Sequence, residues 1–198
     1  MRVVAPYVVL GTLALLWAVL IGFTDFPALI QAREHQAETS SSWQDLLSHK
    51  HFLFALITQF MYKIAQVGTW SYYIQYAQQY GHVRERTAGL LLTGTLGAFG
   101  IGRFVSSYVM RRLSPSRLMA WYAGLNVLLL IIGIAFSGWV GLTAIFATSF
   151  FMSVMFPTIF AMGLKDLGPN TTLGGSLIVM TIIGGAFGTP LMSLLAEL

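Results

Sequence analysis

The 198-residue sequence contains no cysteine, so disulfides, thiolate nucleophiles and thiolate metal sites are excluded. Charged residues are also scarce, at 9% of the chain, against roughly 25% in ordinary soluble domains. Hydrophobic residues make up 56% of the chain, and the mean hydropathy is +0.73. This composition predicts a membrane protein.

The net charge of +4 comes from basic residues that lie mostly in short connections between apolar runs. No basic patch with interleaved aromatic residues is present outside those runs, so nucleic acid is not an expected partner. A membrane enzyme would need a nucleophile with a base, or a set of metal ligands. The histidines lie in or beside loops without an acidic pair, so we expect no catalytic residue, metal site or cofactor; they are His35, His49, His51 and His82.

Six apolar segments follow one another along the chain, at residues 3–26, 51–78, 87–110, 117–136, 139–164 and 171–195. Each reaches the ~20 residues that a helix needs to cross a ~30 Å hydrocarbon core. The sequence therefore predicts an all-α, polytopic membrane protein with six transmembrane helices. Its ends resemble cut ends of a longer chain. Basic residues are more frequent in the connections after the odd-numbered segments, which predicts both ends of the chain on the outer side.

The one long connection covers residues 31–50 and is polar with mixed charge. Its second half predicts a short amphipathic helix with a serine cap, lying on the cytoplasmic surface. Trp43, Leu46 and Leu47 would then face the lipid boundary. A flexible tether between two helical bundles is equally compatible with this composition.

The second apolar segment carries a polar face. Steps of four, three, four and three residues, with one tyrosine beside them, place six side chains together on a helix: Gln59, Tyr62, Lys63, Gln66, Trp70 and Tyr73. Amides and aromatic rings can line a binding cavity, although glutamines also bridge helices and aromatic residues also form interfacial belts. Lys63 lies about 18 Å into the segment. An unpaired ammonium there costs at least ~2.5 kcal/mol, so it should face a water-filled cavity or a carboxylate.

Small residues, one proline and two polar residues mark the later segments. Gly94, Gly97 and Gly100 recur along one side of the third segment, and Gly184 and Gly188 have GxxxG spacing in the sixth; both patterns favour close helix packing, with bending points as the alternative. Pro157 should loosen the fifth segment and free a carbonyl. Asn126 is expected to form an interhelical hydrogen bond. Arg103, next to Gly102, should face a partner, a cavity or the membrane interface.

Short motifs occur in a fixed order over most of the chain: Gln59-Phe-Met-Tyr-Lys-Ile-Ala-Gln66, Trp70-Ser-Tyr72, Leu92-Thr-Gly-Thr95, Gly102-Arg-Phe104, Phe156-Pro-Thr-Ile-Phe160, Gly163-Leu-Lys-Asp-Leu-Gly168 and Gly174-Gly-Ser-Leu-Ile-Val-Met-Thr-Ile-Ile-Gly-Gly185. As a set they resemble the fucose, galactose and glucose proton-symporter family of the major facilitator superfamily. The turn with Arg112 and Arg117 is similar to the degenerate second copy of that superfamily's inter-helix motif, with Arg111 near the usual acidic position.

The resemblance implies that the six helices are the sixth to eleventh of a twelve-helix transporter. Residues 1–30 would be the last helix of the N-terminal bundle, 31–50 the cytoplasmic inter-bundle loop, and 51–198 a C-terminal bundle without its last helix. A monosaccharide would bind between the bundles and move by alternating access with protons, in a bacterial inner membrane. The family's proton-carrying carboxylates belong to the N-terminal bundle. In the alternative, the chain is a non-transporting truncated fragment or a membrane scaffold.

The implied partners are a sugar, protons, the lipid bilayer and the missing N-terminal bundle. The implied substrate-binding residues are the six of the polar face and Phe156, where relatives commonly have tyrosine. Relatives usually have a small or apolar residue at the position of Lys63, so Lys63 is predicted to be a substrate-contacting or charge-compensating group suited to an anionic or carboxylated sugar. The implied structural or gating residues are Gly102, Arg103, Arg112, Arg117, Pro157, Gly184 and Gly188.

Overall fold

The structure is a computed structural model that describes residues 4–24 and 43–196. Regular elements in these ranges are all helical, and the chain divides into two units, residues 1–40 and 41–198. The described part of the first unit is helix α1 (Val4–Gly22), whose side chains from Tyr7 onward are exposed on every side. A helix that is apolar all round is typical of a membrane span or of a buried core.

The second unit is a bundle of long and interrupted helices. Its elements are α2 (Trp43–Ser48), α3 (Lys50–Gln79), α4 (Glu85–Val109), α5 (Pro115–Ala135), α6 (Trp139–Met152), α7 (Met155–Gly163), α8 (Thr171–Met180) and α9 (Gly184–Ala196), with short 3₁₀ turns at Gly168–Asn170 and Thr181–Ile183. The second to fourth predicted segments correspond to single helices. The fifth and sixth are each divided in two.

Helix α3 lies at the centre of this unit, in contact with α2, α4, α6, α7, α8 and α9. Small residues of α9 allow this helix to pack closely against α3. A Cβ added at Gly184 would lie 2.7 Å from the Phe60 carbonyl oxygen, and one at Gly188 would lie 2.7 Å from Ile64 Cγ2. Close packing is therefore what these two glycines do in this structure, while a gating role for them stays a prediction.

The glycines of α4 differ from the predicted pattern. A Cβ at Gly94 would meet the Phe146 ring at 2.9 Å, and one at the buried Gly102 would meet Ser153 Oγ at 2.7 Å. At Gly97 and Gly100 an added Cβ would have nothing within 4 Å among the described residues. The packing surface predicted for all three regularly spaced glycines is therefore wrong at positions 97 and 100.

Four described stretches are long and apolar enough to cross a membrane: Glu85–Val109, Pro115–Ala135, Trp139–Gly163 and Gly168–Leu195. Helix α3 has 30 residues, but its polar face lowers its hydropathy, and the described apolar part of α1, Tyr7–Gly22, is shorter than a span. All six predicted segments are therefore helical where described. Membrane crossing by the first two stays a prediction.

Helix α2 corrects the prediction for the long connection. Leu46 is fully buried against Phe52, Leu167 and Ile178, whereas Trp43 and Leu47 are about half exposed, at 56% and 51%. Leu46 therefore faces the core of the second unit and not the lipid boundary. Residues 31–42, which include the predicted serine cap, lie outside the described residues.

A polar contact also joins α2 to the rest of the second unit. Asn170 Nδ2 donates a hydrogen bond to the Asp45 carboxylate at 2.6 Å. The second half of the connection is therefore a docked helix, and the flexible-tether alternative does not apply to it.

Candidate functional site

The polar side chains of α3 share one face, and most of that face is covered by α6 and α7 of the same unit. Tyr62 Oη donates to the Met152 carbonyl at 2.9 Å, and Trp70 Nε1 donates to Ser149 Oγ at 3.1 Å. Those that are buried are Gln59, Tyr62, Gln66 and Tyr73. These four side chains are therefore covered by helices of their own unit, and their predicted contact with a substrate stays a prediction. Lys63 and Trp70 are only partly buried.

The helix interruption before Pro157 creates part of the site. Proline has no backbone N–H, so it leaves the carbonyl four residues earlier, that of Ser153, without its helical partner. The helix breaks at residues 153–154, and Arg103 Nε donates to the Ser153 carbonyl at 3.4 Å. The neighbouring Met152 carbonyl is the acceptor for Tyr62. The predicted release of a carbonyl therefore occurs, and side chains of α3 and α4 occupy the freed acceptors.

Lys63 is held by an amide and two aromatic rings. Its Nζ donates to Gln66 Oε1 at 2.7 Å, and it lies 4.8 Å from the ring centroid of Phe156 and 5.5 Å from that of Tyr62. A cation over an aromatic face is stabilised by the ring quadrupole, most strongly where water is excluded. This arrangement leaves two of the three ammonium protons for another acceptor.

Arg103 also lies at this helix break, where its Nε donates to the Ser153 carbonyl. Its side chain is exposed, and its Cζ is 5.4 Å from the Phe99 ring, which itself packs edge-on against Trp70 at 5.2 Å. Within residues 43–196, the ion pair present joins Lys165 to Asp166 in a loop, and no carboxylate pairs with Lys63 or Arg103.

Two buried amides have no hydrogen-bond partner among the described residues. They are Gln59, which is fully buried in α3, and Asn126, which is 6% exposed in α5. The interhelical hydrogen bond predicted for Asn126 is therefore absent. An unpaired buried amide costs free energy, so a conformational change or a ligand that supplied hydrogen-bond partners to Gln59 or Asn126 would lower the free energy of the protein.

The other predicted residues lie apart from this cluster. Arg112 is exposed in the turn between α4 and α5, and Arg117 is exposed in the first turn of α5. Gly184 and Gly188 lie where α9 packs on α3. Sequence reasoning missed Phe99 and two fully buried serines, Ser149 and Ser153. The four-residue spacing of the serines in an otherwise apolar segment was the available signal, since it puts both hydroxyls on one helical face.

The cluster offers amide groups, hydroxyls, aromatic faces and two cations. These groups bind sugar hydroxyls, C–H surfaces or anions, and they do not form a nucleophile with a base. The part of the chain that the structure describes also lacks any group of three side chains able to hold a metal ion.

Known proteins similar to this chain are transporters. It is 40% identical to the L-fucose-proton symporter of Escherichia coli K12 across 100% of the chain and 46% of the symporter. It is 29% identical to the glucose/galactose transporter of Brucella abortus biovar 1, across 97% of the chain and 47% of that protein. The chain thus spans about half the length of the relatives it matches. No protein-family model matches it.

The fold agrees with the sequence similarity. The crystal structure of a major facilitator superfamily transporter, FucP, in the outward conformation superposes with a TM-score of 0.80 and 38% sequence identity, covering 98% of this chain and 48% of that one. These relatives are symporters and transporters, not enzymes. In sequence and in fold, the chain therefore aligns with the C-terminal half of FucP, a major facilitator superfamily transporter, and is similar to L-fucose-proton and glucose/galactose transporters.

Proposed function

We propose that this chain is the C-terminal part of a secondary active transporter that takes up a monosaccharide of the fucose, galactose and glucose type together with protons. The observation that carries this proposal is its 40% identity, over its whole length, to an L-fucose-proton symporter. The FucP-like fold of the described residues supports it. The protein would act in a bacterial inner membrane as a multi-pass protein with both ends of this chain on the outer side.

In this proposal, the chain supplies helices six to eleven of a twelve-helix transporter. Residues 1–30 form the last helix of the N-terminal bundle, residues 31–50 the cytoplasmic connection, and residues 51–198 the C-terminal bundle without its last helix. The docking of α2 on the second unit through Leu46 supports a connection whose second half moves with the C-terminal bundle. The sugar and the protons would pass between the two bundles.

The binding surface would consist of the partly open residues around the α6–α7 break. Lys63, Trp70 and Phe156 combine a cation with aromatic faces and are each only partly buried. Gln66 would orient Lys63 through its hydrogen bond. The buried Gln59, Tyr62 and Tyr73 would come into contact with the sugar only after the bundle rearranges.

Two helix interruptions are suitable bending points for alternating access. One is the break between α6 and α7 before Pro157, and the other is the Thr181–Ile183 turn before Gly184. Hinge residues in transporters absorb backbone rotation at such breaks while the adjoining helices stay rigid. Arg103 would then change its distance from the binding surface as the Ser153 carbonyl moves.

Uptake of labelled sugars tests this proposal. The gene is expressed with the sequence upstream of it in cells that lack their own uptake systems for L-fucose, D-galactose and D-glucose. We expect accumulation of at least one sugar above its outside concentration, and loss of that accumulation when a protonophore collapses the proton gradient. Accumulation that survives the protonophore would contradict proton coupling, and no uptake of any of these three sugars would contradict transport of a neutral monosaccharide.

A further inference from the structure

Two cations of the second unit lie at the helix break without an acidic partner among the described residues. Lys63 projects from α3 and Arg103 from α4, and both contact the break through adjacent residues. Lys63 lies over the ring of Tyr62, and the Tyr62 hydroxyl donates to the Met152 carbonyl. Arg103 donates to the next carbonyl, that of Ser153. Placing two positive charges together in a helical bundle is unfavourable unless a negative charge joins them.

The neighbours of the two cations hold them in place without neutralising them. Gln66 and the Phe156 ring hold Lys63, and the Ser153 carbonyl and the Phe99 ring hold Arg103. All four contacts are with neutral groups. Lys63 keeps two ammonium protons and Arg103 keeps its terminal guanidinium nitrogens for an external acceptor, a geometry suited to a carboxylate.

We propose that Lys63 and Arg103 form a carboxylate-binding site, so that the transported sugar is an acidic monosaccharide such as a hexuronate. This inference rests on the proposed sugar transport and specifies its substrate class. Named relatives take fucose, glucose or galactose, which are neutral sugars. Oxidising the terminal carbon of a hexose to a carboxylate adds the required charge and leaves the ring unchanged in size.

The aromatic rings beside the cations fit this ligand. Phe156 flanks Lys63 and Phe99 flanks Arg103, and Phe99 packs against Trp70. Their faces would stack on the C–H surface of the sugar ring while the cations bind the carboxylate. A sugar phosphate would also pair with the two cations. It carries a second negative charge and a bulky tetrahedral group, however, whereas the fold otherwise resembles that of relatives named for neutral sugars.

The test is transport of matched sugars by the protein expressed with its upstream sequence. Initial uptake rates are measured for D-glucuronate against D-glucose and for D-galacturonate against D-galactose, with glucose 6-phosphate as a competitor. The variants are Lys63→Gln, Arg103→Gln and the charge-preserving Lys63→Arg. Lys165→Gln, in an exposed loop, is the matched control for loss of a positive charge.

We expect the parent protein to prefer a uronate to its neutral counterpart. Lys63→Gln should raise the KM for the uronate about tenfold or more relative to that for the neutral sugar, because it removes a charged hydrogen-bond donor. Lys63→Arg should retain most of the preference, and Lys165→Gln should leave it unchanged. If Arg103→Gln does not fold, the Lys63→Gln and Lys63→Arg variants still test whether a carboxylate binds here.

Three results would overturn the inference. The first is uptake of neutral sugars but not of uronates, which would leave the proposed function standing. The second is an equal loss of both sugars in Lys63→Gln, which would assign Lys63 to a carboxylate of the protein itself. The third is competition by glucose 6-phosphate but not by uronates. Uptake of no sugar at all would overturn the proposed function together with this inference.

Discussion

At the scale of single residues, the hydrogen bonds of α3 separate two glutamines that the sequence pattern treats alike. Gln66 Oε1 accepts a hydrogen bond from Lys63 Nζ at 2.7 Å, whereas neither amide atom of Gln59 has a partner among the described residues. The spacing of the polar face predicts that both residues share one side of the helix. It does not predict which neighbour covers each of them, because this depends on the rotation of α3 against α6 and α7.

This difference predicts opposite effects of the same substitution. Gln59→Leu removes an unpaired buried amide and keeps the volume, so we expect it to stabilise the detergent-solubilised protein by about 1–3 kcal/mol. Gln66→Leu should destabilise it, because Lys63 loses its acceptor. Thermal unfolding of both variants is the measurement. A lower melting temperature for Gln59→Leu would show that this amide is paired in the working protein.

Single residues also show where sequence reasoning stops. A lysine deep in an apolar segment is visible in the sequence, and so is the proline that frees a carbonyl. The contact of Arg103 with that carbonyl is not visible, because it joins residues fifty positions apart on two helices. The burial of Ser149 and Ser153 depends in the same way on how the helices pack.

At the scale of elements, the bounds of the predicted segments agree with the helices to within a few residues where both ends are described. Apolar runs of this length leave few alternatives in a membrane, since every backbone group must be satisfied within a helix. The division of the last two segments was not predicted. Pro157 indicated a loosened helix, but nothing in residues 181–183 distinguishes a 3₁₀ turn from a continuous α-helix.

Helix α2 gives an element-scale prediction with an internal control. Leu46 is fully buried in the second unit, and the adjacent Leu47 is 51% exposed. Leu46→Ala should therefore cost about 2–5 kcal/mol of local stability, and Leu47→Ala much less. Protease cleavage of the 31–50 connection in membrane vesicles measures this, with faster cleavage expected for Leu46→Ala. Equal rates for the two variants would contradict the docking of α2.

At the scale of the whole molecule, the resemblance of the short motifs predicted the family-level likeness, and the comparisons confirm it. Composition and periodicity alone predicted only that the chain is a helical membrane protein. The burial of four members of the polar face within their own unit was not predicted, because a single-sequence argument assigns polar side chains to a cavity when they equally serve contacts inside the bundle.

If the proposed cationic, aromatic binding surface belongs to one half of a transporter, transport should require the other half. The most direct test is sugar uptake in cells that express this chain, the segment encoded upstream of it, both as separate chains, or neither. We predict proton-driven uptake only when both are present. Uptake by this chain alone, or none when both chains are in the membrane, would contradict the account.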